Sequence, residues 1–68
     1  MGTIGYMDEI GMRVRERRRL LGIDQATAAD LAGISRKTVS EIERGKATVR
    51  MDVLARLLEV LGFRIEIV

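Results

Sequence analysis

Four glycines, at positions 22, 33, 45 and 62, each close a stretch of helical character. Glycine adopts the left-handed conformation that ends a helix, so this punctuation divides the chain into short helices with tight turns. Nothing inside those stretches interrupts them, because the chain has no proline. At 68 residues it is one domain at most, here residues 1–68. A domain this small is marginally stable alone and usually relies on disulfides, a metal or self-association. With no cysteine and no histidine, disulfides, Cys- or His-ligated metal, thiol chemistry and a Ser-His-Asp triad are all excluded. Self-association remains.

The apolar spacing predicts four helices. The first, about Met7 to Leu21, carries Asp8 and Glu9 in its first turn and arginines in its last, with Ile10, Val14 and Leu21 as the apolar face. Gly11 is expected to weaken its start. The second, Gln25 to Ala32, is capped by Asp24 and presents Ala28, Ala29, Leu31 and Ala32. The third, Arg36 to Arg44, is capped by Ser35 and buries Val39 and Ile42. The fourth, Met51 to Leu61, has a broad apolar face of Val53, Leu54, Leu57, Leu58 and Leu61. Beyond Gly62 the period changes. Phe63, Ile65 and Ile67 alternate with Arg64 and Glu66, which predicts a half-buried strand over 63–68. A lone strand needs a partner, and a second copy of the chain paired about a two-fold axis supplies one. Leu58, Leu61, Phe63, Ile65 and Ile67 are therefore the expected dimerisation residues.

Net charge is +2, with the positive excess in residues 1–50. Only Tyr6 and Phe63 are aromatic, too few for a binder of single-stranded nucleic acid, which stacks bases on several rings. No apolar run approaches the roughly 20 residues of a membrane span. The N-terminus lacks a basic region followed by a long apolar core, so a cytoplasmic, nucleoid-associated protein is expected.

The most informative stretch is Gln25 to Gly45. A helix-turn-helix needs a small residue where two helices approach, here Ala29, and a turn tolerant of positive φ, here Gly33. It also needs apolar residues after the turn and on the inner face of the second helix: Ile34, Val39 and Ile42. All are present at the required offsets.

Arg15 to Arg19, Gly22-Ile23-Asp24-Gln25, Ala29 to Ser35 and Ile42 to Lys46 together resemble the Xre/Cro family of DNA-binding regulators, over about residues 8–62. The resemblance implies a mainly α, four-helix, lambda-repressor-like helix-turn-helix domain. The segment Ala47 to Asp52 and the tail from Leu61 look like the HipB-like antitoxin branch, in which C-terminal strands of two subunits pair. The chain departs from the family at Ala28, where a larger aliphatic residue is usual, and from many antitoxins in ending at Val68 without a longer tail.

Carried over residue by residue, the resemblance implies that the third helix enters the major groove of double-stranded DNA. Ser35, Arg36, Lys37, Thr38 and Glu41 would meet base edges. Gln25 matches a phosphate-contacting glutamine, and Arg44 and Lys46 lie where backbone phosphates would be reached. Glu41 either pairs with Lys37 four residues before it, the preferred reading, or accepts from a cytosine amino group. Arg18 and Glu43 match a structural ion pair of the family. The expected function is a homodimeric repressor on a palindromic operator, with no cofactor, no metal and no catalytic residue. The resemblance leaves open a kinase-like toxin partner. The alternative is a protein-interaction module that keeps this fold without specific DNA binding.

Overall fold

The computed structural model describes residues 5–66. Among them are four α-helices: α1 Tyr6–Leu20, α2 Gln25–Ala32, α3 Arg36–Glu43 and α4 Met51–Val60. α1 packs on α3, and α2 packs on both α3 and α4. No helix among the described residues is long and apolar enough to cross a membrane.

Local chemistry sets the helix ends. The Asp24 carboxylate accepts from the Thr27 N–H at 2.7 Å, and the Ser35 hydroxyl accepts from the Thr38 N–H at 3.1 Å, each satisfying an otherwise free donor of a first turn. Gly33 caps α2 at φ 68°, and the chain doubles back so that the Ile34 N–H donates to the Ala29 carbonyl at 3.0 Å. This turn aims α3 away from α2 and tucks Ile34 against the core.

The core consists of Val14, Ala28, Ala29, Ala32, Val39, Ile42, Leu54, Leu57 and Leu61. Ala28 is fully buried. Gly11 is also buried, beneath the end of α3. A Cβ there would run into the Ile42 carbonyl oxygen and come within 2.8 Å of that of Glu43. The residue expected to weaken α1 is therefore what lets α1 and α3 approach.

Several expectations need correction. Leu31 is 63% exposed: it sits about 200° and 100° around the helix from Ala29 and Ala32, which define the buried side. Leu21 is exposed, because α1 has already ended and Ile23 turns inward instead. Leu61 is in the core rather than at a dimer surface: it is 1% exposed within a single chain.

Phe63 to Glu66 form no strand. Among the described residues the segment has no neighbouring strand to bond to, and it settles against α1 instead. The Arg17 guanidinium lies 4.4 Å above the Phe63 ring and donates to the Leu61 carbonyl at 3.1 Å. Leu58 and Phe63 are half-buried, Ile65 is exposed, and Ile67 lies outside the described residues.

Candidate nucleic-acid interface

α3 buries Val39 and Ile42 and turns its other side, with its N-terminal turn, to solvent. Ser35, Arg36 and Lys37 are exposed at that end, and Thr38 and Glu41 are half-buried behind them. The Ser35 and Thr38 hydroxyls share a hydrogen bond of 2.8 Å. Arg36 and Lys37 form no ion pair among the described residues, so their donors face outward unclaimed.

Beside this face runs an open cleft of about 360 Å³ between α3, the loop after it and α4. Its floor is apolar, from Ile34, Ile42, Val49 and Val53, and its rim is polar, from Ser35, Thr38, Glu41, Lys46, Thr48, Arg50 and Arg56. Thr48, Arg50 and Arg56 were not singled out by sequence reasoning. The available signal was the clustering of basic residues around the α4 N-terminus, which only the fold brings beside α3.

Glu41 does not pair with Lys37. Its carboxylate accepts from the Lys46 ammonium. The turn at Gly45 brings the Lys46 N–H onto the Glu41 carbonyl at 3.0 Å, which lays the lysine side chain over the acid. That ammonium hydrogen bond holds the Glu41 carboxyl below its ordinary pKa, against an opposing effect of desolvation and with help from the charges of Lys46, Lys37 and Arg44. Arg44 is exposed at the end of α3 and forms no ion pair among the described residues. Arg50 pairs with Asp52 at 3.1 Å, and Arg56 forms no ion pair among the described residues.

Gln25 is tied down rather than free. Its Nε2 donates to the Glu43 carboxylate at 3.3 Å, leaving one amide hydrogen for another acceptor. Glu43 in turn accepts two bonds from Arg18, whose Nη1 donates to the Ile23 carbonyl at 3.0 Å. The hydrogen bond to Glu43 raises the Arg18 pKa above its ordinary value. The donors of Arg18 point inward and are absent from the solvent-facing surface of α3.

Among solved structures, the restriction-modification controller protein C.AhdI of Aeromonas hydrophila matches with a TM-score of 0.77 at 33% identity, over 85% of this chain and 88% of that one. The Escherichia coli HTH-type transcriptional regulator PuuR is 36% identical over 76% of this chain and 28% of its own length. A Rhodospirillum rubrum protein described as an uncharacterized transcriptional regulator in the ATPase CF(0) region is 34% identical over 94% of this chain and 60% of its own. The chain thus spans less than two thirds of the length of the curated relatives it matches, from 16% to 60%. Residues 14–68 match the helix-turn-helix family HTH_3, a span that includes α2, the Gly33 turn and α3. The chain belongs to the Xre-type helix-turn-helix family.

Proposed function

We propose that this chain is a sequence-specific double-stranded DNA-binding regulator of transcription that acts in the cytoplasm, on the nucleoid. The observation that carries the reading is the outward N-terminal face of α3. Arg36 and Lys37 offer unpaired donors there while Val39 and Ile42 anchor the same helix in the core. Arginine and lysine at such positions donate to guanine O6 and N7, and Ser35 and Thr38 add small polar contacts. Gln25, Arg44, Arg50 and Arg56 would position the helix through phosphates.

The regulator works as a homodimer, each α3 reading one half of a two-fold operator. The surface that supports this includes the half-buried Leu58 and Phe63 and the exposed Ile65, with Ile10 beside them. A second copy laid along residues 63–66 would supply the backbone partner that the segment lacks among the described residues of one chain. The HipB-like resemblance adds a kinase-like toxin as a candidate partner, to be sought by co-purification.

The test is fluorescence anisotropy against DNA from upstream of this chain's own gene, with scrambled duplex as competitor. Tight, competitor-resistant binding that weakens steeply with salt and is lost in Arg36→Ala/Lys37→Ala supports the reading. Equal, weak binding to both duplexes counts against an operator at that site. A salt-insensitive protein complex with no DNA binding identifies an interaction module instead.

A further inference from the structure

The recognition face of α3 contains an anomaly. Glu41 places a carboxylate where a polyanion would dock, and a carboxylate only accepts hydrogen bonds. Its partner Lys46 is the outer and more open member of the pair, with 52% of its side chain exposed against 18% for Glu41. A lysine ammonium on a flexible four-carbon stem can change partners by rotation. A pair this open to solvent holds weakly against a competing phosphate.

We propose that the Glu41–Lys46 pair is a clasp that opens on DNA. Lys46 is handed to a backbone phosphate, and the Glu41 carboxylate accepts from the exocyclic amino group of a cytosine in the major groove. The proposal rests on the docking of α3 described above and adds the base that one position selects. Guanine and thymine offer no hydrogen-bond donor along the major-groove edge, and their acceptors repel a carboxylate. Adenine has an amino group, but its N7 acceptor stands beside it. Cytosine offers the N4 amino group, for which a carboxylate is the matched partner. In free protein the hydrogen bond from Lys46, with the charges of Lys46, Lys37 and Arg44, holds the Glu41 carboxyl below its ordinary pKa. In free protein the clasp masks the acid, and in the complex each member has a new partner. An unmatched base leaves the carboxylate desolvated and unpaired, which makes Glu41 a device for rejecting wrong sites.

The experiment selects bound duplexes from a randomised pool with the unsubstituted 68-residue chain, Glu41→Gln and Lys46→Met, then measures affinity and salt dependence for the winners. The fold of each variant is checked by circular dichroism. The unsubstituted chain should prefer cytosine at one position by about tenfold over the other bases. Glu41→Gln should lose that preference or move it to adenine, and should bind unselected DNA more tightly. Lys46→Met should keep the cytosine preference while its salt slope falls by about one. A cytosine preference that survives in Glu41→Gln overturns the proposal, as does an unchanged salt slope in Lys46→Met. A chain that enriches duplexes without a cytosine position overturns this proposal alone, whereas a chain that enriches no duplex overturns the DNA reading with it.

Discussion

Arg18 and Glu43 meet through two hydrogen bonds of 2.7 and 3.0 Å, joining the last turn of α1 to the last turn of α3. The side chains are 11% and 4% exposed, so the pair is largely shielded from water. Because Gln25 also donates to Glu43, the start of α2 is tied to the same carboxylate. One acid thus orients three helices, including the one proposed to read DNA.

Removing one member strands the other. Arg18→Met should destabilise the fold by about 3 kcal/mol, measured by urea denaturation, because an unpaired charge is left mostly buried. Arg18→Met/Glu43→Leu should recover part of that loss. If Arg18→Met shifted stability by less than about 1 kcal/mol, the pair would be no more important than an exposed one.

Gly11→Ala tests whether that position is a packing residue or a weak point. Helix propensity alone predicts stabilisation by about 1 kcal/mol. The Ile42 and Glu43 carbonyl oxygens occupy the space of the added methyl, so a net loss of about 1–3 kcal/mol is expected instead. A higher denaturation midpoint would show that α1 can withdraw from α3 at little cost.

Acid should weaken the α2 cap. The Thr27 backbone N–H holds the Asp24 carboxyl below its ordinary value of 3.8, and the Thr27 side chain and the charges of Arg18 and Arg36 act the same way. Folding therefore favours the charged form. Its contribution is complete above the unfolded value and is lost as pH falls through the lower folded value. Asp24→Asn, which keeps a capping oxygen, should flatten stability below about pH 4 relative to the parent chain. An unchanged acid limb in thermal melts would place the acid sensitivity elsewhere.

Leu61 and Leu31 should exchange the roles that spacing suggests. Leu61→Ala empties a core position and should lower stability by about 2–5 kcal/mol at any protein concentration. Leu31→Ser, at a site 63% exposed, should change it by less than about 0.5 kcal/mol. A concentration-dependent effect of Leu61→Ala in dilution melts would return that residue to a dimer surface.

Arg50 and Arg56, on the rim of the cleft beside α3, should act on DNA differently from Arg36. Their replacement by Ala should weaken binding to specific and scrambled duplex alike and reduce the salt slope by about one each. Arg36→Ala should instead lower discrimination between the two duplexes, by about 1–3 kcal/mol for a bidentate base contact. Anisotropy titrations over a range of salt separate the two patterns.

Features of local origin were legible in the sequence. The Asp24 and Ser35 caps and the Gly33 turn depend on chemistry within a few residues of each, and they place α2 and α3 correctly. Features set by distant chain were not. Gly11 is read as a poor helix former until α3 is seen to lie across it. Glu41 has a lysine at the helical spacing of four, and only the course of the Gly45 turn shows that Lys46 reaches it instead. The alternation from Phe63 onward has the period of a strand, yet no strand lies beside it among the described residues, and Phe63 packs under Arg17 instead. Leu61 belongs to the same α4 stripe as Leu58, and periodicity cannot say which of the two the core takes.

The eight residues of α3 also limit how much of an address one chain can spell. At 1.5 Å per residue the helix is about 12 Å long, enough to lie along roughly four base pairs. A four-letter word recurs about once in 256 positions, against the roughly 10⁶–10⁹ competing sites of a genome. Two copies on one operator, as proposed, would lengthen the word to about eight letters, or one occurrence in about 65,000, still short of a unique location. The remaining letters would have to come from outside the helix, through the bend and groove width of DNA that the loop and α4 arginines would grip under the proposed docking.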